Sequence, residues 1–460
     1  MRLSTIGLAV LLLVFALCLF ACSNKGDDDD NDDNGSGGDC MVCGTTGECT
    51  AALGAGWVCQ GGCCQEAAVD DDQTGDDDAA DDDNDSGDDD AGDDDDDNDD
   101  DDASPGDVDF TSEDIDLSGP GSRQTSIQVT ADGAIHVAYT GCFTDACERD
   151  AVYYAKKAGK DADWEIAMVD GTGTETGWFP SLEVADDGSA GLVYCRHANP
   201  YLAFGFKPAG GAWSAGVIGE GHAGWWISST SIGGVLMTSF MHFPVTGTDN
   251  GWLQVGKFEG GEWTFSDVDH TGESGFYSAM TATPDGRPVI DYTYVPVYPT
   301  GSNKIAEWTG SEWNILQVDS NTIGGDVAVD EDGYFHVAYS KIDSANSNLW
   351  DLWYATNAPE GDWTKIALDP GANDEDDTGG FPSIAVDPAG VLHVAYRHFS
   401  NDELRYARKI GDTWETYAAD AVGQGLYTSI AIDDDGGVHI AYEGGGYIRY
   451  SYCATCAAAK

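Results

Sequence analysis

Basic residues are scarce in this chain: 20 Lys and Arg stand against 83 Asp and Glu, a formal net charge of −63. That balance excludes nucleic acid as a partner, because duplex binding depends on Lys and Arg to displace counterions. Long helix-like periodic runs are also few. With 60 Gly and 11% aromatics, the globular part is expected to be all-β. Apolar runs are short as well: the longest, "IGLAVLLLVFALCLF" at residues 6–20, is short for a membrane span. No second His/Cys half-site follows Cys40-x-x-Cys43, so a structural zinc is not expected.

What is present at the N-terminus is a targeting signal, with Arg2 ahead of that apolar run. "LFAC" (Leu19 to Cys22) resembles the bacterial lipobox, which implies cleavage after residue 21 and lipid modification of Cys22. By the same resemblance, Ser23 after the Cys is not an inner-membrane retention signal. An outer-membrane or cell-surface lipoprotein, held to the membrane by its N-terminal lipid, is expected. Thiols oxidise outside the cytoplasm, so the remaining cysteines are disulfide candidates. Cys40, Cys43, Cys49, Cys59, Cys63 and Cys64 crowd into residues 40–64, a module too small to fold on its core alone. Three bridges are expected there, with the pairing open. Cys142 with Cys147, and Cys453 with Cys456, are close enough to pair locally, whereas Cys195 has no evident partner.

Asp/Gly-rich segments at 22–39 and 65–106 flank that module, and about half of the net charge lies in residues 27–102. Like-charge repulsion and the lack of apolar residues keep such segments disordered. They are expected to attract Ca2+ weakly and diffusely, since a built calcium site needs ligands in a defined frame. The second segment forms a stalk that spans at most about 130 Å when stretched.

From residue 107 to 460 the chain repeats itself. Trp164, Trp213, Trp263, Trp313, Trp363 and Trp414 are spaced by 49, 50, 50, 50 and 51 residues. Six residues after each stands an Asp (Asp170, Asp269, Asp319, Asp369, Asp420), with Gly219 the exception. Upstream of the Trp a second pattern recurs, clearest in "SIAVDPAGVLHVAY" (383–396) and "SIAIDDDGGVHIAY" (429–442). Each unit reads as strand A, a tight Asp/Gly turn, strand B, a variable loop, strand C, a short turn and strand D. Four strands per ~50 residues is the β-propeller pattern. Seven A–B–C sets occur but only six D strands follow them. "FTSEDID" puts Phe110 at the Trp position and Asp116 six residues on, so it is expected to be the missing outer strand of a seventh blade. One monomeric, seven-bladed ring closed by the N-terminal strand is the expected fold.

The repeats resemble the sialidase-like, BNR-type propellers of exported bacterial proteins. They lack the strict Ser-x-Asp-x-Gly-x-x-Trp box of true sialidases, so the resemblance implies architecture more than activity. In such a fold the B–C and D–A loops share one face, and here those loops are the variable ones. They carry Arg196, His197, His222, His242, His270, Arg397 and His398 as candidate binding or catalytic residues. Trp178, Trp225, Tyr294 and Tyr298 form a candidate aromatic platform. His136, His336, His393 and His439 recur at one strand-B position and are expected to be structural. The aromatics before strand A (Phe179, Trp225, Tyr277, Phe381, Tyr427) recur in register, which favours a structural ring.

Two functions follow. The first is a non-catalytic display protein whose loop face binds an extracellular glycan or protein. The second is an enzyme on polysaccharide, by family analogy a uronate-polymer lyase or a glycosidase. Arg196 and Arg397 would then neutralise a substrate carboxylate while His197 or His398 serves as base. A sialidase is expected to show three converging Arg, and only two loop Arg match in position, with Arg123 as a weak third. The display reading leads, and convergence of Arg196, His197, His242, Arg397 and His398 in one pocket is its discriminating test.

Overall fold

The computed structural model describes Trp57–Gln60, Cys63–Glu66 and residues 108–456, without 117–122, 143–149, 174, 198–200, 220–221, 245–250, 298–299, 343–348, 360, 372–375 and 422–424. The expected signal peptide, Cys22, both Asp-rich segments, Cys147 and Tyr298 lie outside the described residues, as does most of the Cys-rich module. Within that module Trp57–Gln60 pairs antiparallel with Cys63–Glu66, Cys59 facing Cys64. The pair falls in a unit separate from the one that holds the repeats.

All described elements of the repeat region are strands. Arg123–Val129, Ile135–Cys142, Asp150–Lys157 and Glu165–Asp170 pair in chain order as one antiparallel sheet. So do Thr176–Val184 to Ser214–Val217, His222–Ile232 to Glu262–Asp269, and Gly380–Val386 to Thr413–Asp420. Phe276–Ala282 to Thr364–Asp369 form a single sheet of seven strands, because Trp313–Val329 serves as outer strand of one repeat and inner strand of the next. The link there is the shortest of its kind, Asp319 to Gly324, which leaves no room for a loop. The last sheet joins Leu426–Ile432, Val438–Gly444 and Tyr447–Cys453 to Thr111–Asp116, Tyr450 facing Glu113 and Ile448 facing Asp116. Inner strands pack on one another in succession, and Leu426–Ile432 lies against Arg123–Val129. Four-stranded sheets packed in this way make a propeller-type all-β fold.

The repeated residues explain the packing. Alternation in strand B buries Ile135, Val137 and Tyr139 completely, and Val394 and Tyr396 likewise. Each Asp/Gly turn is pinned by its carboxylate: Asp387 Oδ1 accepts the amides of Ala389 (2.8 Å) and Val391 (2.7 Å). His136, His336, His393 and His439 place Nδ1 at 2.7, 2.6, 2.6 and 2.7 Å from the hydroxyls of Tyr154, Tyr354, Tyr406 and Tyr450. Burial pushes His136 and His393 down to about 4 and lowers His336 and His439, so all four are neutral at physiological pH. Their structural role is the expected one. On three of those tyrosines lies the Trp of the next repeat: Trp213 on Tyr154 (5.2 Å), Trp414 on Tyr354 (5.0 Å) and Trp164 on Tyr450 (5.4 Å). Phe110 takes the same place on Tyr406, edge-on at 5.1 Å.

A second lock uses the recurring Asp. Asp116, Asp170, Asp269 and Asp369 accept hydrogen bonds of 2.6 Å from Tyr139, Tyr194, Tyr292 and Tyr396 of the following repeat. Asp319 accepts one of 3.0 Å from Tyr339, and Asp420 pairs with Tyr442. Where Gly219 replaces the Asp, the partner is Phe240, so the polar pair is lost as a unit. A third lock lies nearest the axis. Ser126, Ser181, Ser228, Ser383 and Ser429 hydroxyls accept the amides of Leu182 (3.1 Å), Ser229 (2.7 Å), Met280 (2.9 Å), Ile430 (3.3 Å) and Ile127 (3.1 Å).

Candidate functional site

Each inner strand begins with a bulge. Its register breaks at Trp178/Ser181, Trp225/Ser228, Phe276/Ala279, Gly380/Ser383 and Leu426/Ser429. The residue in the bulge turns left-handed: Phe179 (φ 55°), Trp226 (49°), Tyr277 (52°), Phe381 (48°) and Tyr427 (52°), with Gln124 (36°) and Gly324 (67°) in the remaining repeats. A bulky side chain at positive φ is an outlier, and such strain gathers at functional positions. Here it turns five aromatic side chains toward a common centre.

The result is a cup of about 330 Å³ on the loop face, lined by those five rings with Phe276, Trp350 and Phe399. Neighbouring rings touch: Phe179–Trp226 5.5 Å, Trp226–Tyr277 5.2 Å, Phe381–Tyr427 4.6 Å, Phe381–Phe399 6.1 Å. No Lys, Arg, His, Asp or Glu is among the described lining residues. The lining Ser and Thr hydroxyls are turned into the backbone. Thr125 donates to Tyr427 O (2.8 Å) and Ala441 O (3.0 Å), Ser278 to Trp226 O (2.5 Å), Ser340 to Gly379 O, and Thr428 to Phe381 O.

The ring register corrects one expectation: the third repeat contributes Trp226, not Trp225, because the inner strand there is read one residue early if the bulge is overlooked. Trp225 instead lies 5.2 Å from His197. Trp178 is 8% exposed, stacks on the other side of His197 at 4.1 Å and donates to Asp150 (2.9 Å), so it is packing rather than platform. Tyr294 carries Lys304 over its ring at 4.2 Å.

None of the Arg and His candidates lines the cup. Arg196 is spent on the Asp170 lock, with Nε and Nη2 at 2.9 and 2.6 Å. Hydrogen bonds from Tyr194, Thr172 and Arg196 outweigh burial and hold Asp170 below the usual carboxylate range. His197 bonds Glu175 at 2.7 Å. His242 and His270 both lie against Trp252, at 4.4 and 4.1 Å, and His270 is also 3.4 Å from Asp267. His222 lies on the strand His222–Ile232, its backbone opposite Pro244. Arg397 pairs with Asp402 and stacks on Phe399 (4.7 Å). His398 is buried, its Nδ1 accepting from Asn401 N at 3.2 Å, and burial lowers its pKa. Arg123 lies at the edge of the first inner strand, its backbone opposite Thr140. Arg196 and His197 thus sit two repeats or more from Arg397 and His398, and no shared Arg/His pocket forms among the described residues.

One acid behind the wall is unusual. Asp377 Oδ1 accepts from Trp350 N (3.3 Å), and burial, with Asp351 adding repulsion, pushes its carboxyl up to about 6. Cys453 and Cys456 are bridged, Cys142 is disulfide-bonded, and Cys195 is a buried free thiol.

No family model matches the chain, and no curated protein matches it. Among solved structures it is similar to the Hadza microbial sialidase Hz136 (15% identity, TM-score 0.43, covering 72% of this chain and 65% of the other). It is also similar to polysaccharide lyase Uly1 (12%, 0.49, 72% and 89%) and to Penicillium chrysogenum alpha-L-arabinanase (14%, 0.45, 60% and 92%). These names are nearer to the polysaccharide-enzyme alternative than to the display reading. At such identities and TM-scores no residue role passes from them to this chain.

Proposed function

We propose that residues 107–460 close as a seven-bladed propeller, sealed by the strand Thr111–Asp116, and that the protein is a lipid-anchored surface receptor. Its loop-face cup captures an extracellular ligand, glycan or protein, without turning it over. The observation that supports this most is the lining of the cup: converging aromatic rings and no described acid, base or nucleophile beyond tyrosine. Immobilised full-length protein probed with a panel of surface polysaccharides and proteins tests it. A bound partner should lose about tenfold in affinity to Trp350→Ala, as truncating one buried aromatic contact costs on the order of 1–1.5 kcal/mol. Undiminished binding to that variant would place the site elsewhere.

Asp377 supports a second reading, cleavage of a polysaccharide. A carboxylic acid held near 6 beside the cup wall has the proton affinity of a general acid. The carbohydrate-active enzymes among the similar folds fit this alternative. Product formation abolished by Asp377→Asn would establish it.

A further inference from the structure

The cup offers rings but few polar partners, and that restricts its ligand. Thr125, Ser278, Ser340 and Thr428 all donate to backbone carbonyls. A sugar entering it would bury hydroxyls with few partners, at a cost that ring stacking alone does not offset. A volume of about 330 Å³ sits at the lower end for small-molecule sites and suits a head group rather than a polymer chain. The described lining itself carries no charged side chain. No Lys or Arg is among the described lining residues, while the whole chain carries −63. Behind the wall stand groups of both signs: the Arg397 guanidinium lies over the lining ring Phe399 at 4.7 Å, and burial raises the carboxyls of Asp291 and Asp377. Beneath the lining residue Gly325, a Cβ would meet Asp291 Oδ2 at 2.7 Å. Asp291 is fully buried, and its Oδ1 has no hydrogen-bond partner among the described residues. Asp377 lies behind Trp350.

Resting on the reading that the cup is the ligand site, we propose that it binds a quaternary ammonium group. The faces of Phe179, Trp226, Tyr277, Phe381 and Tyr427 form an aromatic cage around the cation. A methylated ammonium gives up little hydration and asks for no hydrogen-bond acceptor, which is the chemistry this lining provides. The ammonium group is carried by a larger surface ligand, as a choline substituent or a trimethylated lysine.

Choline chloride titrated calorimetrically into the full-length protein tests the proposal against 3,3-dimethylbutan-1-ol, its uncharged carbon isostere. Choline should bind at least tenfold more tightly than the isostere, a difference of about 1.4 kcal/mol. Phe381→Gly and Tyr427→Gly should each weaken choline at least tenfold. Both remove a ring where the backbone already adopts a glycine conformation (φ 48° and 52°), so the fold is kept. Met168→Ala, at an exposed position of the outer strand Glu165–Asp170 and outside the cup lining, should cost less than threefold and serves as the control. A phosphocholine-bearing polymer and a trimethyl-lysine peptide, run in parallel, identify the source. Equal affinity for choline and the isostere would overturn the cation assignment while leaving an apolar receptor. No choline binding, alongside a panel hit that Trp350→Ala weakens, would overturn the assignment and keep the receptor reading. Binding of neither class would overturn both.

Discussion

Replacing Tyr396 by Phe removes one oxygen from a side chain with no exposed surface. That oxygen donates at 2.6 Å to Asp369, which also receives Arg405 Nη1 at 3.1 Å. Burial and the Asp369 charge hold the phenol protonated at every ordinary pH, so the donor is always present. A hydrogen bond to a charged acceptor contributes about 1.5–3 kcal/mol, and Arg405 retains part of the compensation, so a loss of about 2 kcal/mol is expected. Asp369→Gly should cost a similar amount. The double variant recreates the Gly219/Phe240 pair of the third repeat and should cost about 3 kcal/mol rather than the sum. A coupling of at least ~1 kcal/mol from urea titrations of the four proteins is the expected result. Strict additivity, with coupling under about 0.3 kcal/mol, would show that Asp and Tyr are independent features and that the inter-repeat lock is misassigned.

Removing residues 107–118 takes away Phe110 and the strand paired with Tyr447–Cys453, and should lower the melting temperature strongly. Removing an equal length of the preceding Asp run should not, and equal melting of the two would refute closure by this strand. Phe381→Gly should cost at most about 1 kcal/mol, against 3–5 kcal/mol for Phe→Ala in an ordinary core, because relief of the left-handed strain offsets lost packing. A loss above about 3 kcal/mol would show that the ring is held by packing alone. His136 and His393, pushed down to about 4 when folded, take up protons only on unfolding; their contribution is intact above 6.5 and falls as pH drops from there toward 4. Glu183 runs the other way: burial raises it to about 8, so stability falls as pH rises from its unfolded value near 4.5 toward 8. Glu183→Gln should therefore gain on the order of 2–4 kcal/mol at pH 9 and little at pH 4.5. No gain at pH 9 would place that carboxylate in water.

Much of the scaffold is legible in the residues themselves. The Trp, Asp, His and Tyr positions recur because each forms one half of a contact made again in several repeats, and a repeated contact leaves a repeated letter. Phe110 was readable as a stand-in for Trp for the same reason. The loss of Asp at Gly219 together with Tyr at Phe240 carried a clue to the lock that periodicity alone does not decode. The cup was harder to read. Its side chains come from repeats far apart in the chain, and they converge only because a bulge turns each one left-handed. Alternation patterns contain no sign of that turn, so they point to Trp225 where the bulge presents Trp226. Arg196 looked functional as a loop arginine, yet one carboxylate, Asp170, engages its guanidinium.

The central claim, that the loop face binds without cleaving, is tested most directly on a single sample. Full-length protein is titrated with uronate polysaccharides and any other ligand the binding panel identifies, while bound fraction and the absorbance of unsaturated products or new reducing ends are followed together. Saturable binding with no product over many hours is the predicted result. Product that accumulates with the wild-type chain and vanishes with Asp377→Asn would contradict the account and make the protein a polysaccharide-cleaving enzyme.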